Sequence, residues 1–288
     1  MKLFLDSGAY SAWTKNTSIN LSEYINFIRQ NENSLEIYAC LDDITDPEKT
    51  WKNQEIMEKE GLHPLPVYHV DEPDHFLERA MTYPYFAVGG MALKGAVIRK
   101  SRFDFVFEKI CTKENDFLPT HKVHGFGLAS PDLLIDYPWY SADTSSWVQY
   151  GRYGIILVPR RINGVLRYDK APEVVTVSSR SKTVGKYNSH FKQIGPNMQA
   201  SIQKYCEEKG MSIGRTLFRE VTPDYILKEN EHWTDRKKKT RVEKIVDKGL
   251  CCDGEMRDRL NLIYFLDLEK HQPKWTWPWK LHKEQLFS

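Results

Sequence analysis

The first half of the chain alternates short apolar runs with longer segments that place apolar residues at helical spacing. Short continuous apolar runs are typical of strands buried on both faces, and the segments between them are typical of amphipathic helices. The alternation predicts parallel strands joined by helical crossovers, an α/β fold. The predicted strands are "KLFLDSGA", "LEIYACLDD", "LPVYHV", "YFAVGGMA", "KVHGFGLAS" and "WYSADTSSW".

Two of the predicted helices have clear boundary signals. Asn20 stands at the N-cap position of a helix over "LSEYINFIRQN". Asp46 stands at the N-cap position of the next helix, with Pro47 in its first turn and Gly61 as its stop.

The pattern changes after residue 154. "GIILVPRRINGVLRYDK" predicts a strand and a hairpin around Asn163-Gly164, a dipeptide that favours a type I′ turn. "PEVVTVSSRSKT" predicts another strand, "IGPNMQASIQKYCEEKG" a helix, and residues 222–248 and 254–271 two more helices. We expect a single domain over residues 1–288, with a basic insertion at 152–192 and a helical C-terminal part at 222–288 that ends in a Trp- and Pro-rich tail.

Composition narrows the class of protein. Hydrophobic residues make up 41% and charged residues 28% of the 288, as in soluble globular proteins. No run of 18 apolar residues predicts a membrane span, and the first residues do not read as a secretory signal, so a cytoplasmic location is expected. The five cysteines fit no zinc spacing, and neither a metal nor a cofactor is predicted.

Positive charge is concentrated in two segments, although the formal net charge is only +2. Residues 152–192 are strongly basic, and "DRKKKTR" follows at residues 235–241. Such clustering predicts a face that meets the phosphates of a nucleic acid. The candidate contacts are Arg160, Arg161, Arg180, Lys182, Lys186, Lys237, Lys238 and Lys239.

Acids and glycines follow the predicted strands at their carboxyl ends, where parallel α/β folds build their active sites. One acid alone is commonly a helix cap, but several strand ends together predict a site with a nucleophilic carboxylate and an acid/base carboxyl. Tyr10 and Phe126 are candidates to stack on a flat ligand, with core packing as the alternative. The strand-end residues are Asp6, Ser7, Gly8, Asp42, Asp43, His69, Gly89, Gly90, Gly125, Phe126, Gly127 and Asp143.

Five short motifs in this order resemble a known family. "LDSGAYSAW", "CLDD", "VGGMAL", "VHGFGLASP" and "YSADTSSW" are similar to motifs of the guanine transglycosylases, the superfamily of queuine and archaeosine tRNA-ribosyltransferases. The resemblance covers about residues 1–155. It implies a TIM-like (β/α)8 barrel, here with a basic β/α insertion in the C-terminal half, whereas the pattern alone leaves an open doubly wound sheet as the competitor.

The resemblance also implies roles for individual residues. Asp143 corresponds to the nucleophile that attacks C1′ of the nucleoside, and Asp6 to the general acid/base of the base exchange. Asp42 corresponds to the aspartate that recognises the base, and Gly89 and Gly90 to a loop whose backbone faces it.

The chain departs from the family in several places. "GAYS" replaces the family's "GGFQ", and His69 stands near the strand end where the family carries a base-reading Gln. The family's zinc subdomain and an RNA-binding C-terminal module are not recognisable. These absences and the basic segments favour the phage and bacterial branch, which inserts a 7-deazaguanine such as preQ0 into DNA.

Three alternatives stay open at the level of sequence. The first is a tRNA-guanine transglycosylase with the same chemistry. The second is a glycosylase or nucleosidase that uses water as the acceptor, and the third is a non-catalytic nucleic-acid-binding module. Neither the incoming base nor the oligomeric state follows from the sequence.

Overall fold

The computed structural model describes residues 3–90, 96–116, 118–128, 130–181 and 189–271. Within them the chain divides into two compact units, one in residues 3–144 and one in residues 145–271. Each unit has its own buried apolar clusters. The predicted single domain over residues 1–288 stays a prediction, and the Trp- and Pro-rich tail lies outside the described residues.

The first unit alternates strands and helices along the chain, as the apolar pattern predicts. Every strand is short, and each is followed by one or two helices until the last. The elements are β1 (Leu3–Leu5), α1 (Ala9–Thr14), α2 (Leu21–Asn31), β2 (Leu35–Tyr38), α3 (Pro47–Lys59), β3 (Val67–His69), α4 (Asp74–Ala80), β4 (Tyr85–Gly89), α5 (Ala96–Ile110), β5 (Lys122–Gly125), α6 (Pro131–Asp136) and β6 (Ser141–Ala142).

All strands of this unit pair in parallel and in chain order. β1 pairs with β2, and β3, β4, β5 and β6 form a second sheet in that sequence. A parallel bridge between Ala39 and Leu65 links the segment after β2 to the segment before β3. Parallel pairing therefore links the strands one after another from β1 to β6.

The strands curl strongly. Four steps of about 4.8 Å separate β1 from β5 in a flat sheet, or roughly 19 Å. The ring of Phe4 on β1 nevertheless stacks on the ring of His124 on β5, with 4.4 Å between the ring centroids. The predicted α/β class with a parallel sheet is confirmed, while closure into a (β/α)8 barrel stays a prediction.

The predicted helix boundaries of α2 and α3 are confirmed. The Asn20 side chain accepts hydrogen bonds from the backbone N–H groups of Ser22 and Glu23, the first-turn donors that a cap must satisfy. Asp46 accepts from the backbone N–H of Lys49. Gly61 follows α3 with φ +80°, a left-handed conformation that favours glycine.

The second unit combines small antiparallel sheets with helices. β7 pairs with β10 in antiparallel fashion, β11 extends that sheet, and a separate sheet has the order β12, β14, β13. The elements are α7 (Ser146–Arg152), β7 (Ile155–Val158), β8 (Arg160–Ile162), β9 (Val165–Arg167), β10 (Glu173–Thr176), β11 (Ser189–His190), α8 (Pro196–Glu208), β12 (Arg215–Glu220), β13 (Glu231–Trp233), β14 (Arg241–Asp247) and α9 (Gly254–His271).

The helix predicted over residues 222–248 is wrong, because β13 and β14 occupy that range. β14 is the central strand of its sheet and bonds to β12 on one side and β13 on the other. Its Glu243 is fully buried and is paired with Arg180 and with the Ser179 hydroxyl. These partners lie about 60 residues away in sequence, so local spacing does not reveal that the acid belongs to a buried strand.

The basic insertion predicted at residues 152–192 stays a prediction, and its strands contribute to the core of the second unit. β7 and β10 in this range supply buried apolar residues to the core of the second unit. The predicted hairpin is confirmed, since β8 and β9 pair across Asn163 and Gly164, which have φ values of +50° and +83°. The segment is basic, but it is part of the framework of its unit.

α9 confirms the helix predicted over residues 254–271. Its Asn261 is fully buried and accepts the backbone N–H of Leu157 at 2.8 Å, while its side-chain amide donates to the carbonyl of Ile155. These bonds tie α9 to β7. In the described part of the chain, no helix has both the length and the apolar composition needed to cross a bilayer.

Neighbouring residues of α2 provide a test of the first unit's core. Ile28 is fully buried, whereas the adjacent Phe27 is 49% exposed. We expect Ile28→Ala to lower the free energy of unfolding by about 2–5 kcal/mol, because it leaves a cavity. The matched change Phe27→Ala should cost about 0.5 kcal/mol or less. Urea unfolding of both variants measures the difference, and equal costs would contradict the packing described.

Candidate active site

Asp6 lies at the carboxyl end of β1, where the chain turns sharply into α1. Gly8 adopts φ +76°, and the hydroxyl of the buried Ser7 accepts the first backbone N–H of α1 at 3.1 Å. Burial raises the pKa of the Asp6 carboxyl, and the nearby Asp42 and Asp143 raise it further. Backbone hydrogen bonds from Ser7 and Gly8 oppose this shift only in part. The three predicted acids therefore interact at one edge of the first unit.

Asp42 is held by two donors. The Ser7 hydroxyl donates to Asp42 Oδ1 at 2.5 Å, and His69 Nε2 lies 3.1 Å from Asp42 Oδ2. The other ring nitrogen of His69, Nδ1, lies 2.8 Å from Glu72 Oε1. His69 thus stands between two carboxylates and joins the ends of β2 and β3.

The environment of His69 favours a charged imidazolium. Burial of the ring opposes the charge, but hydrogen bonds to Asp42 and Glu72 outweigh it and raise the pKa of His69 to about 10. Each ring nitrogen then donates to one carboxylate. A positive charge in this position offsets part of the repulsion among the acids at the strand ends.

The Gly89-Gly90 pair makes room for His69. A Cβ atom on Gly89 would lie 2.8 Å from His69 Cδ2, closer than real Cβ contacts. Gly90 adopts φ +83°, and a Cβ atom there would lie 3.3 Å from both the Cβ of His69 and the backbone N of Val70. These glycines allow the imidazole to reach Asp42; no contact here tests the predicted approach of a base to their backbone.

Asp143 follows β6 and is open to solvent, with 57% of its side chain exposed. The backbone N–H of Gly127 donates to Asp143 Oδ1 at 3.0 Å, and His124 Nε2 lies 3.4 Å from the same oxygen. Gly125 is required for packing, since a Cβ atom there would lie 2.5 Å from the Leu128 side chain. The end of β5 therefore shapes the surroundings of Asp143.

The two predicted stacking aromatics have different surroundings. Phe126 is half-buried and meets His124 edge-on at 4.6 Å between ring centroids, close to Asp143. Tyr10 is 47% exposed and contacts Trp13 at 6.0 Å. Phe126 therefore contacts His124, which neighbours Asp143, while Tyr10 belongs to the exposed surface of α1.

Asp43 belongs to the turn before α3. Its Oδ1 accepts the backbone N–H groups of Thr45 and Asp46, and its Oδ2 is paired with Lys49 at 2.8 Å. Burial opposes ionisation slightly, but Lys49 and Thr45 lower the pKa of the Asp43 carboxyl. Asp43 therefore stabilises this loop, and its role as a substrate ligand stays a prediction.

A pocket of about 470 Å³ adjoins Asp42. Its walls include Trp13 and Asn20 from the first helices and Lys49 and Asn53 from α3. Small-molecule sites typically measure about 300–1,000 Å³. The strand-end acids Asp42 and Asp43 also line it, together with residues of the loop before α2 that the sequence analysis did not single out.

Two residues near the site were missed by the sequence analysis. His124 directly precedes a glycine strand end in "VHG", so it had a local signal. Phe4 had none, since its contact with His124 arises only from the curl of the sheet.

The predicted phosphate contacts divide into paired and free cations. Arg160 lies 3.3 Å from Glu173, Arg161 lies 2.7 Å from Glu208, and Arg180 is paired with a buried glutamate. Lys182 and Lys186 lie outside the described residues. Lys237, Lys238 and Lys239 are exposed in the turn before β14 and form no ion pair with another described residue.

Comparisons with known proteins do not assign the chain. No protein-family model matches it, and none of the curated proteins matches it either. Among the described residues, no group of three or more histidine, cysteine or acidic side chains is arranged to hold a metal ion. The function is therefore argued from the geometry of the strand ends.

The pairing of His69 makes a prediction about stability and pH. The folded pKa of about 10 exceeds the ordinary value of 6.5, so the stabilisation is complete below pH 6.5 and is lost as the pH rises towards 10. We expect the stability advantage of the native protein over His69→Gln to fall by up to about 1.4 kcal/mol per pH unit in this interval.

Urea unfolding between pH 6 and pH 9.5 measures this advantage. His75→Gln, a change of an exposed histidine in the same unit, is the matched control and should show no such trend. A constant difference between the native protein and His69→Gln would contradict a charged His69.

Proposed function

We propose that the protein exchanges guanine in DNA for a 7-deazaguanine base such as preQ0, through a covalent bond between Asp143 and C1′ of the nucleotide. The observation that carries the proposal is the convergence of Asp6, Asp42 and Asp143 from three strand ends. Displacement of a purine from C1′ passes through an oxocarbenium-like state, and such chemistry uses paired carboxylates. The family resemblance assigns the same three residues.

Asp143 acts as the nucleophile. With Oδ1 held by the Gly127 N–H, Oδ2 is the oxygen that bonds to C1′ as the bond from C1′ to the purine nitrogen breaks. The half-exposed side chain can reach a nucleotide flipped out of the duplex. In the second half of the reaction, the incoming base bonds to C1′ and the ester bond to Asp143 breaks.

Asp6 handles the proton. Its raised pKa favours a protonated carboxyl that gives its proton to the departing guanine. The resulting carboxylate then takes a proton from the ring nitrogen of the incoming base that attacks C1′. Protons balance over the exchange, and no metal or redox cofactor enters the scheme.

Asp42 reads the base. The edge of guanine with N1 and N2 offers hydrogen-bond donors, which suit an acceptor-only carboxylate. The Ser7 hydroxyl and the imidazolium of His69 orient both Asp42 oxygens and leave a lone pair on each. His69 therefore acts behind the base-reading residue, where the family carries a Gln that reads the base directly.

The proposal includes the TIM-like (β/α)8 barrel that the resemblance implies. Two observations support it: the sequential parallel order of β1 to β6, and the contact of Phe4 with His124. A doubly wound sheet reverses its strand order at a switch point, and the described parallel strands contain no such reversal.

We propose DNA as the substrate because the sequence contains no recognisable zinc subdomain of the tRNA enzymes. The exposed cations Lys237, Lys238 and Lys239 are suited to phosphate contacts, which give affinity without sequence information.

The direct test is exchange of labelled guanine in duplex DNA, followed by exchange with a 7-deazaguanine base. We expect Asp143→Ala to abolish exchange and Asp6→Asn to slow it about 100-fold or more. Asp116→Asn, a change of an exposed turn residue in the same unit, is the matched control and should retain full activity.

Other outcomes identify the competing functions. Exchange in tRNA alone would replace the DNA assignment with a tRNA enzyme. Free base with an abasic site left behind would indicate a glycosylase, and nucleic-acid binding without exchange or release would indicate a binding module.

The three exposed lysines in the turn before β14 lead to a separate prediction about DNA binding. Replacement of Lys237, Lys238 and Lys239 by Ala should weaken DNA binding and reduce the slope of log affinity against log salt concentration by about 2–3, roughly 0.9 for each lost phosphate contact. The triple change of Lys52, Lys59 and Lys113, which are exposed in the first unit, controls for net charge. Equal effects of the two triple variants would argue against a specific contact.

A further inference from the structure

A buried histidine stands behind Asp143 and has no role in the scheme above. His124 is 3% exposed, and its Nε2 lies 3.4 Å from Asp143 Oδ1. Nε2 is buried and has no hydrogen-bond partner within ordinary distance. An unpaired polar nitrogen in such a position is costly unless a partner approaches.

The other side of the ring is tied to two hydroxyl groups. His124 Nδ1 lies 2.7 Å from the Ser141 hydroxyl, which lies 2.7 Å from the Tyr85 hydroxyl. Burial raises the pKa of the Tyr85 phenol. The protonated hydroxyl can donate a hydrogen bond to the Ser141 oxygen. The three residues come from the adjacent strands β4, β5 and β6, in which His124 is paired with Ser141.

The direction of these hydrogen bonds follows from the carboxylate. With Tyr85 donating to Ser141 and Ser141 donating to Nδ1, the proton of the imidazole is on Nε2, the nitrogen that lies 3.4 Å from Asp143 Oδ1. The opposite direction would set the lone pair of Nε2 against an acceptor-only carboxylate, an unfavourable contact. The hydroxyl pair therefore selects the tautomer of the ring.

Aromatic contacts fix the orientation of the imidazole. Phe4 stacks on His124 with ring centroids 4.4 Å apart and an interplanar angle of 21°, and Phe126 meets it edge-on at 4.6 Å. With Phe4 on one face, Phe126 packed at roughly a right angle to that contact and Nδ1 bonded to Ser141, the His124 ring has little freedom to turn.

We infer that His124 is a positioning residue for Asp143, set by the Tyr85–Ser141 hydroxyl pair to hold the nucleophilic carboxylate through its Nε2–H. Together with the Gly127 N–H it fixes Oδ1 and leaves Oδ2 to attack C1′. His124 transfers no proton, and the same two donors continue to bind Oδ1 when Asp143 becomes an ester. This inference rests on the proposed function.

The tautomer is tested first, because its measurement needs no activity. ¹⁵N NMR of the histidine side chains in the full chain, assigned with His124→Gln, should show a protonated Nε2 and an unprotonated, hydrogen-bonded Nδ1 for His124. A ring protonated at Nδ1 alone would overturn the inference even if base exchange were observed.

Kinetics then test the effect on the reaction. We expect His124→Phe, which keeps an aromatic ring but removes the donor, to lower kcat for base exchange about 10- to 100-fold with KM nearly unchanged, because a misplaced reacting group costs rate. His124→Gln, which retains an N–H donor at a similar reach, should recover much of that loss. His75→Phe is the control and should have native kcat.

The outcomes separate this inference from the proposed function. If the native protein exchanges no base, the proposed function fails and the tautomer measurement alone decides whether His124 faces Asp143 with its donor. If the native protein is active and folded His124→Phe has native kcat, the positioning role is overturned. Should His124→Phe not fold, a His124→Gln variant without rescue of kcat and with raised KM would overturn it instead.

Discussion

The arrangement of the first unit depends on bringing three carboxyl groups to one edge of a parallel sheet despite their mutual repulsion. The repulsion is evident at Asp6. Burial raises the pKa of its carboxyl, and Asp42 and Asp143 raise it further. The surrounding residues offset it: His69 supplies a positive charge beside Asp42, and the Gly127 N–H bonds to Asp143. Such a cluster is costly for folding alone and is typical of sites that perform chemistry.

The curl of the sheet makes the cluster possible. In a flat sheet, the ends of β1 and β6 would lie far apart, whereas here Phe4 on β1 reaches His124 on β5. Gly89 lacks a side chain where His69 must pass, and Gly125 lacks one where Leu128 packs. Short strands and glycines at their ends thus serve the approach of the functional side chains as much as the packing of the core.

Local rules predicted much of this arrangement from the sequence. Asp6, Asp42 and Asp143 each follow a predicted strand, and the carboxyl ends of parallel strands share an edge, so their proximity could be expected. Asn20 and Asp46 could be recognised as N-caps, because their side chains accept hydrogen bonds from backbone N–H groups no more than three residues away.

Features that depend on distant partners could not be predicted in this way. The buried Glu243 is acceptable in a central strand only because Arg180 pairs with it, and helical spacing therefore misassigned residues 222–248. The bonds that tie Asp43 to the turn before α3 were likewise not apparent from the sequence.

The central claim, that Asp143 forms a covalent bond to the sugar, is tested most directly by mixing the protein with guanine-containing DNA, without a second base, and analysing the denatured mixture by mass spectrometry. The account predicts a DNA-linked peptide that contains Asp143 and disappears in Asp143→Asn, whereas release of free guanine with no adduct, or an adduct on another residue, would contradict it.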